Sequence, residues 1–435
     1  MTSRHVSSRA AIRVQGPHLR QQGVASLVVV MVLFFIISMV AAYTSRNLIF
    51  EQRTSTNQYR STQALEAADA GLQWALGLLN SGRIDATCQA SINVADTSFR
   101  QRYLAIDGGT GMITPLLTSG GTPLLPSCVF DGGNWQCSCP VDSAPVVATP
   151  AGTGVFPAYR VRFSTVPTRP GVVKVESNGC TRNADTCLNF PATGSDNEGR
   201  VTVTALVALK GGVSTIPAAP LTLKGTMNLS GAALSAVNSD ATTAGITIHA
   251  GGAVTKAGLV LITAPGTPSD LSVIDGDNSL SSLSANRMFA NVFGVWRETY
   301  RDQPAAVVLN CGLGGCSAGA VRTAIALNPG RVLWLQGDFS VDSAGDIGSS
   351  AEPVAIVVSG NVSFSAAARI FGVLYTQSAA WATNGAAEVQ GAVVAEGNIT
   401  GSSTATFVYD APLLTRVRTR TGSFALVPGS WRDFQ

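Results

Sequence analysis

An uncharged apolar stretch near the start of the chain places the strongest constraint on how it folds. The stretch runs from Val24 to Tyr43, and only Ser26 and Ser38 interrupt it as polar side chains. A helix of about 20 residues rises roughly 30 Å, close to the hydrocarbon thickness of a bilayer. The sequence therefore predicts an N-terminal membrane anchor, with the residues after Tyr43 on one side of the membrane.

The charge distribution separates a short leader from the rest of the chain. The 435 residues include 29 Lys or Arg and 26 Asp or Glu, for a formal charge of +3. The leader up to Gly23 has no Asp or Glu and contains four arginines, Arg4, Arg9, Arg13 and Arg20. Without the leader, 25 basic residues face 26 acidic ones. This distribution favours a cytoplasmic leader, and no basic cluster indicates a nucleic-acid partner.

The cysteines indicate an oxidising compartment. All eight lie beyond the membrane segment: Cys88, Cys128, Cys137, Cys139, Cys180, Cys187, Cys311 and Cys316. An even number on one side is typical of disulfides in an exported protein. Cys180–Cys187 and Cys311–Cys316 can each close a small loop. The other four allow three connectivities, which the sequence leaves open. A zinc site is the alternative, but a single residue separates Cys137 from Cys139, fewer than zinc ligands usually have between them.

Helical patterning continues beyond the membrane surface. Apolar side chains recur at three- and four-residue spacing, as in an amphipathic helix: Leu65, Ala68, Leu72, Leu76 and Leu79. The stretch from Val24 to Leu79 has no Pro, and Asn80-Ser81-Gly82 supplies a stop signal. One continuous helix of roughly 84 Å is expected, with its first half in lipid and its second half packed on a globular head.

These features together resemble the type IV pilus minor pilin PilX family. The resemblance rests on the basic leader ending in Gln21-Gln22-Gly23, the apolar helix, and the Ala-rich acidic segment from Ala64 to Leu72. It covers about residues 18–80. It implies cleavage by a prepilin peptidase between Gly23 and Val24, an inner-membrane single-pass protein with a periplasmic head, and a later position at the pilus tip. Expected partners are membrane lipid, other minor pilins and the pilus assembly machinery.

One position departs from the pattern of major pilins. Major pilins carry Glu as the fifth mature residue, whereas this chain would have Val28 there. A carboxylate in lipid is costly unless it is paired. Its absence favours a subunit that does not need that pairing, such as one in a tip or priming complex.

The rest of the chain predicts an α+β region followed by an all-β region. We expect a leader (1–23), a transmembrane and amphipathic helix (24–80), a cysteine-rich pilin-like head (81–210) and a β-solenoid-like domain with an inserted helix (211–435). Strands are predicted over 159–163, 172–176 and 201–209. Beyond Gly211-Gly212, apolar runs that begin at Val332, Ala355, Gly372 and Gly391 recur about every 20 residues, which is typical of a solenoid. A β-sandwich is the alternative.

An aromatic stripe interrupts this repeat. Phe289, Phe293, Trp296 and Tyr300 are spaced like one face of a helix, with Ser284 as a candidate cap and Pro304 beyond. We expect the stripe to be core, in a helix over 286–301 that covers the open end or flank of the solenoid.

The sequence favours no enzyme, cofactor or metal. His249 is the single histidine after the leader, and its surroundings predict an outward-facing strand residue. Gly312-Leu313-Gly314-Gly315 lacks the Lys-Ser/Thr of a phosphate loop. Turn chemistry explains Asp275-Gly276-Asp277-Asn278 better than a Ca²⁺ site does. The sequence does not decide whether Ca²⁺ binds there. Asp338, Asp342 and Asp346 are spread over turns rather than grouped.

Two alternatives to a minor pilin remain. A signal peptidase cutting near Val40-Ala41-Ala42 would release a soluble protein. That product would be a secreted β-helix adhesin or carbohydrate-active enzyme. A K-like pseudopilin of type II secretion also lacks the fifth-position Glu, but its largely helical head differs from this β-rich sequence.

Overall fold

The computed structural model describes residues 22–152, 155–191, 198–231, 233–381 and 387–433. The chain divides into two compact units, residues 1–59 and 60–435. The helix α1 (Gln22–Leu79) runs through both, as the uninterrupted helical pattern predicts.

The first part of the second unit consists of short helices and antiparallel strands. After α1 its elements are α2 (Phe99–Tyr103), β1 (Leu104–Ile106), β2 (Ile113–Pro115), β3 (Ser127–Phe130), β4 (Trp135–Ser138), β5 (Ala158–Thr165), β6 (Val172–Cys180), α3 (Asp185–Leu188) and β7 (Arg200–Gly211). The three longest strands, β5, β6 and β7, contain the segments predicted as strands.

Short strands dominate the remainder of the chain. They are β8 (Leu221–Leu223), β9 (Met227–Leu229), β10 (Leu234–Asn238), β11 (Ile248–Ala250), β12 (Leu259–Thr263), β13 (Val273–Ile274), β14 (Ala306–Asn310), β15 (Cys316–Ser317), β16 (Val332–Gln336), β17 (Phe339–Val341), β18 (Gly345–Ile347), β19 (Val354–Val358), β20 (Asn361–Phe364), β21 (Ala368–Thr376), β22 (Ser378–Trp381), β23 (Ala387–Ala395), β24 (Ile399–Gly401), β25 (Ala405–Val408) and β26 (Gly422–Leu426).

Helices lie between some of these strands. They are α4 (Asn278–Ser281), α5 (Ala285–Phe293), α6 (Arg297–Arg301), α7 (Ala318–Leu327) and α8 (Ala411–Arg420), with 3₁₀ turns at Ala241–Thr243, Ser269–Ser272 and Gly312–Gly314.

One antiparallel sheet forms the head. Its strand order is β26-β7-β6-β5-β3-β4, and β1 pairs with β2 in a separate hairpin. The strand β26 comes from the end of the chain and pairs with β7, placing Phe424 opposite Leu209. The head sheet therefore includes a strand from beyond residue 211, where the sequence placed the domain boundary.

Two parallel sheets form the body of the unit. One has the strand path β12-β10-β25-β23-β21-β19-β16-β14, and the other has the order β15-β17-β20-β22-β24-β9. From β14 onward the chain passes repeatedly between the two sheets, and their apolar side chains share one core. The apolar runs predicted from the repeat lie in β16, β19, β21 and β23. Their parallel pairing differs from the antiparallel pairing of a β-sandwich. The large β-rich region is thus confirmed, whereas the description of it as a solenoid stays a prediction.

The strands of the body do not stack in chain order. β10 pairs with β25, and β9 pairs with β24, so the first strands of the body lie beside the last ones. β14, which follows the helical insertion, lies at the far edge of the larger sheet. The segment containing α4, α5 and α6 therefore connects strands at opposite ends of this sheet.

The aromatic stripe forms two helices rather than one. α5 ends at Gly294, which adopts a left-handed conformation with φ +72°, and α6 begins at Arg297. Phe289, Phe293 and Tyr300 are buried against the flank of the larger sheet. The Phe289 ring lies 5.1 Å from the ring of Tyr375 on β21. Trp296 lies in the break and is 54% exposed, so its expected place in the core is wrong.

Candidate assembly helix and its head interface

The first half of α1 presents apolar side chains to its surroundings on every face. Val28 is 52% exposed and Phe34 is 72% exposed. Among the described residues, α1 is the one helix long and apolar enough to cross a membrane. An all-round apolar surface is typical of a helix in lipid or against other apolar helices. Val28, the candidate fifth mature residue, is part of this surface.

The second half of α1 packs on β6 through small residues. Ala64 and Ala68 are fully buried. Gly179 on β6 lies directly under them, where an added Cβ atom would sit 2.1 Å from the carbonyl oxygen of Ala64. A Cβ at Gly71 would sit 2.3 Å from Oγ of Ser177. The Ala-rich segment of the sequence is therefore the surface that lets the helix backbone approach the sheet.

Aromatic side chains extend this contact towards the end of α1. Trp74 lies between Phe99 and Tyr159, with 5.5 Å between ring centroids in both pairs. Tyr159 is buried under the helix, and its burial raises the pKa of its hydroxyl group. Leu72 and Leu79 belong to the same core. The predicted amphipathic stripe thus packs on the head.

Asn80 and Arg100 bind the polar groups at the end of α1. The Asn80 side chain exchanges two hydrogen bonds of 2.8 Å with the backbone of Phe424 on β26. Arg100 is 2% exposed, and its Nε donates to the carbonyl oxygen of Leu79 at 2.8 Å. The last carbonyl groups of a helix lack partners within the helix, and here buried side chains bind them.

The C-terminal segment returns to the same helix. Arg432 forms a backbone bridge with Thr204 on β7. Nε1 of Trp431 donates a hydrogen bond of 3.2 Å to Oδ1 of Asp69, one of the two acidic residues of the Ala-rich segment. The C-terminal segment therefore contacts the Ala-rich segment that carries the N-terminal resemblance. Phe434 lies outside the described residues.

All eight cysteines lie in described segments and form four disulfides: Cys88–Cys139, Cys128–Cys137, Cys180–Cys187 and Cys311–Cys316. The last two are the short loops expected from spacing. The first two disulfides together form one of the three pairings that the sequence leaves open for those four cysteines. Cys137 and Cys139 bind different partners, so neither is available to a zinc ion.

The leader lies outside the described residues except for its last two positions. Gln22 and Gly23 are helical and continue into Val24. Cleavage between Gly23 and Val24 therefore stays a prediction.

Of the residues considered for catalysis or metal binding, His249 and Asp277 come together in the described segments, as a single pair. His249 points away from the core between buried Ile248 and Ala250, and its Nε2 lies 2.7 Å from Oδ2 of Asp277. Asp277 also caps α4, and its hydrogen bonds with Ser279 and His249 hold the pKa of its carboxyl group below the usual range. Such bonds are the turn chemistry expected there.

The other polar candidates have structural partners. Oδ1 of Asp338 accepts from the backbone N–H of Asn361 at 2.8 Å, while Asp346 pairs with Arg369 at 2.8 Å. Asp342 accepts from the backbone of Ala318 at 3.2 Å. No group of three or more His, Cys, Asp or Glu in the described segments is arranged to hold a metal ion.

Sequence reasoning missed the two residues that most define the helix–head contact. Gly179 lies in a run with strand character, and an isolated glycine there is a known signal of close backbone approach. Arg100 lies in the short segment Phe99–Tyr103, and no sequence pattern distinguishes it from an exposed arginine.

Comparison with known proteins supports the resemblance of the helix. Residues 22–73 match the family model described as PilX N-terminal. No curated protein matches the chain. A solved structure, the competence-associated pilin ComZ from Thermus thermophilus, matches with 10% identity over 86% of this chain and 97% of that chain. Its TM-score of 0.22 is too low to equate the two folds.

The helix defines the class of protein. A long apolar helix that matches a pilin-type N-terminal model supports a single-pass, membrane-anchored protein. The match over residues 22–73 supports a type IV pilin-like protein, as the resemblance in the first 80 residues predicts.

Proposed function

We propose that this protein is a minor pilin-like subunit that acts in the priming or tip complex of a type IV pilus. Before incorporation it would be held in the inner membrane by the first half of α1, with its head in the periplasm. The match of residues 22–73 to the PilX N-terminal model carries this proposal.

The exposed surface of α1 supports assembly through this helix. Its apolar side chains from Val24 to Phe50 are all exposed, so they are available to lipid before incorporation and to other pilin helices afterwards. Other minor pilins, the assembly machinery and the prepilin peptidase would be its partners. Val28 suits a terminal position, because a subunit there does not need the carboxylate of a major pilin.

The parallel sheets of the body suit a structural role. We propose that they form a β-solenoid-like stack carried outermost on the fibre. Side-chain oxygens accept hydrogen bonds from the backbone of neighbouring strand segments: Asp338 accepts from the N–H of Asn361, and Asn398 accepts from the N–H of Thr226 at 2.9 Å. Such a stack presents a long surface for contacts, and the proposed role is binding rather than catalysis.

Leader processing provides the primary test. Gly23→Leu should block cleavage, so that the chain keeps residues 1–23 and fails to support pili. Gly77→Leu is the matched control, since Gly77 lies on the exposed side of α1 and a Cβ there meets nothing within 4 Å. Mass spectrometry of the mature N-terminus should show Val24 for the wild type and for this control. A mature wild-type chain that begins near Tyr43, or unchanged processing of Gly23→Leu, contradicts the proposal.

Position in the fibre requires a separate measurement. An epitope inserted at Gly266, whose surroundings are open, can be labelled with gold particles on isolated pili. Label at fibre ends is expected. Label spread along the shaft would show a subunit of the shaft, and label confined to the cell envelope would show a priming factor that stays behind.

A further inference from the structure

The face of the head sheet opposite α1 carries a basic groove. Side chains alternate across a strand, so the residues between the buried ones share the outer face. Arg162 on β5 lies opposite Glu176 on β6, which lies opposite Thr204 on β7. The groove above these residues encloses about 1000 Å³. One wall contains Phe190 and Pro191, and the C-terminal segment from Val427 to Arg432 forms another.

The groove concentrates positive charge in a chain that is otherwise balanced. Among the described residues that line it, Glu176 is the one acidic residue. The five basic residues are Arg162, Arg169, Lys174, Arg200 and Arg432. Without the leader, the whole chain has 25 basic and 26 acidic residues. The groove therefore has an excess of positive charge that the whole chain lacks. A groove lined mostly by one sign of charge attracts ligands of the other sign.

Two of these side chains already bind a carboxylate. Nη2 of Arg162 and Nζ of Lys174 each lie 2.8 Å from a carboxylate oxygen of Glu176. The Glu176 side chain is 5% exposed, and those of Arg162 and Lys174 are 31% and 41% exposed. Glu176 thus lies on the floor of the groove, and Arg162 and Lys174 extend from it towards the solvent.

The remaining cations have no such partner. Arg169, Arg200 and Arg432 are exposed, and within the described segments their side chains make no ion pair. An exposed guanidinium with free donors is suited to bidentate contact with a carboxylate or phosphate.

The C-terminal segment borders the groove along β7. The backbone N–H of Val427 donates to the carbonyl oxygen of Leu206, and the N–H of Arg432 donates to that of Thr204. Between these contacts the chain turns at Pro428-Gly429, where the N–H of Ser430 donates to the carbonyl oxygen of Val427. This turn forms one wall of the groove. Phe190, the aromatic ring in its lining, stacks on Arg162 with the guanidinium carbon 4.4 Å from the ring centroid. That ring face is occupied, whereas single-stranded nucleic acid needs free aromatic faces for its bases.

We propose that this groove binds a carboxylate-rich segment of a partner protein, with Arg169, Arg200 and Arg432 contacting its acidic side chains. The proposal goes beyond the pilus role and does not depend on leader processing or on a position at the tip.

Fluorescence anisotropy of a labelled octaglutamate peptide tests the proposal on the full chain in neutral detergent. The wild type should bind, and binding should weaken as NaCl rises from 0.1 to 0.5 M, because exposed charges are screened. Arg169→Gln with Arg200→Gln should lower the affinity about fivefold to tenfold, as expected for two exposed ion pairs. The matched control, Lys256→Gln with Arg287→Gln, removes the same charge from exposed positions outside the groove and should bind like the wild type.

Three results would overturn the proposal. The wild type fails to bind octaglutamate at 0.1 M NaCl, or the control pair weakens binding as much as the groove pair does. The third is that an oligothymidylate of the same charge binds more tightly than octaglutamate and loses that affinity only in the groove variant, which would make nucleic acid the ligand. Circular dichroism of each variant shows that the fold is retained.

Discussion

Arg100 donates a hydrogen bond of 2.8 Å from Nε to the carbonyl oxygen of Leu79, the last residue of α1. The same guanidinium donates to the carbonyl oxygen of Gly330, before β16, at 2.7 Å and to that of Gly422 on β26 at 3.1 Å. Burial, with the nearby charge of Arg331, lowers the pKa of Arg100 to about 9. One buried cation therefore joins α1, the parallel sheets of the body and the C-terminal strand β26.

Replacing Arg100 should destabilise the second unit strongly. Arg100→Met keeps much of the apolar volume but leaves three buried carbonyl oxygens without this donor. Each buried polar group left unpaired costs about 1–3 kcal/mol, so a loss of roughly 3–5 kcal/mol is expected. Denaturant unfolding in detergent, followed by tryptophan fluorescence, measures it. Arg182→Met, at an exposed arginine of the head, is the control. A loss below 1 kcal/mol for Arg100→Met would show that water can replace the guanidinium.

Two glycine substitutions should have opposite effects. Gly179→Ala places a methyl group against the backbone of Ala64 and Ala68, so α1 must move off the sheet, and a cost of about 2–4 kcal/mol is expected. Gly77→Ala puts the same group into open space on an exposed helical position, where it should stabilise by roughly 0.5–1 kcal/mol. Unfolding midpoints of the two variants provide the comparison. Equal shifts in one direction would contradict the close helix–sheet contact.

The sequence predicted which segments form elements far better than which elements are neighbours. An uncharged apolar run located the first half of α1, and three- and four-residue spacing located its second half. Alternating or β-branched segments located the strands β5, β6 and β7. The repeat near 20 residues located the runs that became β16, β19, β21 and β23. These signals are local, since each depends on side chains a few residues apart.

Long-range pairing left no comparable signal. β26 joins the head through partners more than 200 residues away, and β10 lies beside β25 although the repeat suggests stacking in chain order. Parallel neighbours need matching apolar faces, and many strands of this chain have such faces. The break at Gly294 could be predicted as a helix stop, but the regular spacing of the aromatic side chains outweighed it.

Acid should weaken the head through Glu176. Burial raises the pKa of its carboxyl group, but the hydrogen bond from Lys174 and the charges of Arg162 and Lys174 outweigh burial, so the pKa lies below the usual value of 4.5. The folded state therefore binds this proton more weakly than the unfolded state. The stabilisation is complete above about pH 4.5 and is lost as the pH falls through the lowered pKa.

Thermal unfolding between pH 3 and 7 measures this contribution. Glu176→Gln should have a lower Tm than the wild type at pH 7, and the difference should shrink as the pH falls below 4. Asp270→Asn, at an exposed carboxylate, is the control and should follow the wild-type curve. A wild-type-to-Glu176→Gln difference that stays constant down to pH 3 would show that Glu176 does not contribute through its charge.

The disulfides should differ in strength because they close loops of different length. Cys88–Cys139 spans 51 residues and Cys180–Cys187 spans 7. Since a cross-link restricts the unfolded chain more as the loop grows, removal should cost about 4 kcal/mol for the first disulfide and about 2 kcal/mol for the second.

The double variants Cys88→Ser with Cys139→Ser, and Cys180→Ser with Cys187→Ser, avoid unpaired thiols. Non-reducing peptide mapping verifies that the other pairs are unchanged, and denaturant unfolding of both variants measures the order. If the short-loop variant loses more stability, local packing around Cys180 and Cys187, which are both buried beside Leu188, outweighs the chain-entropy effect.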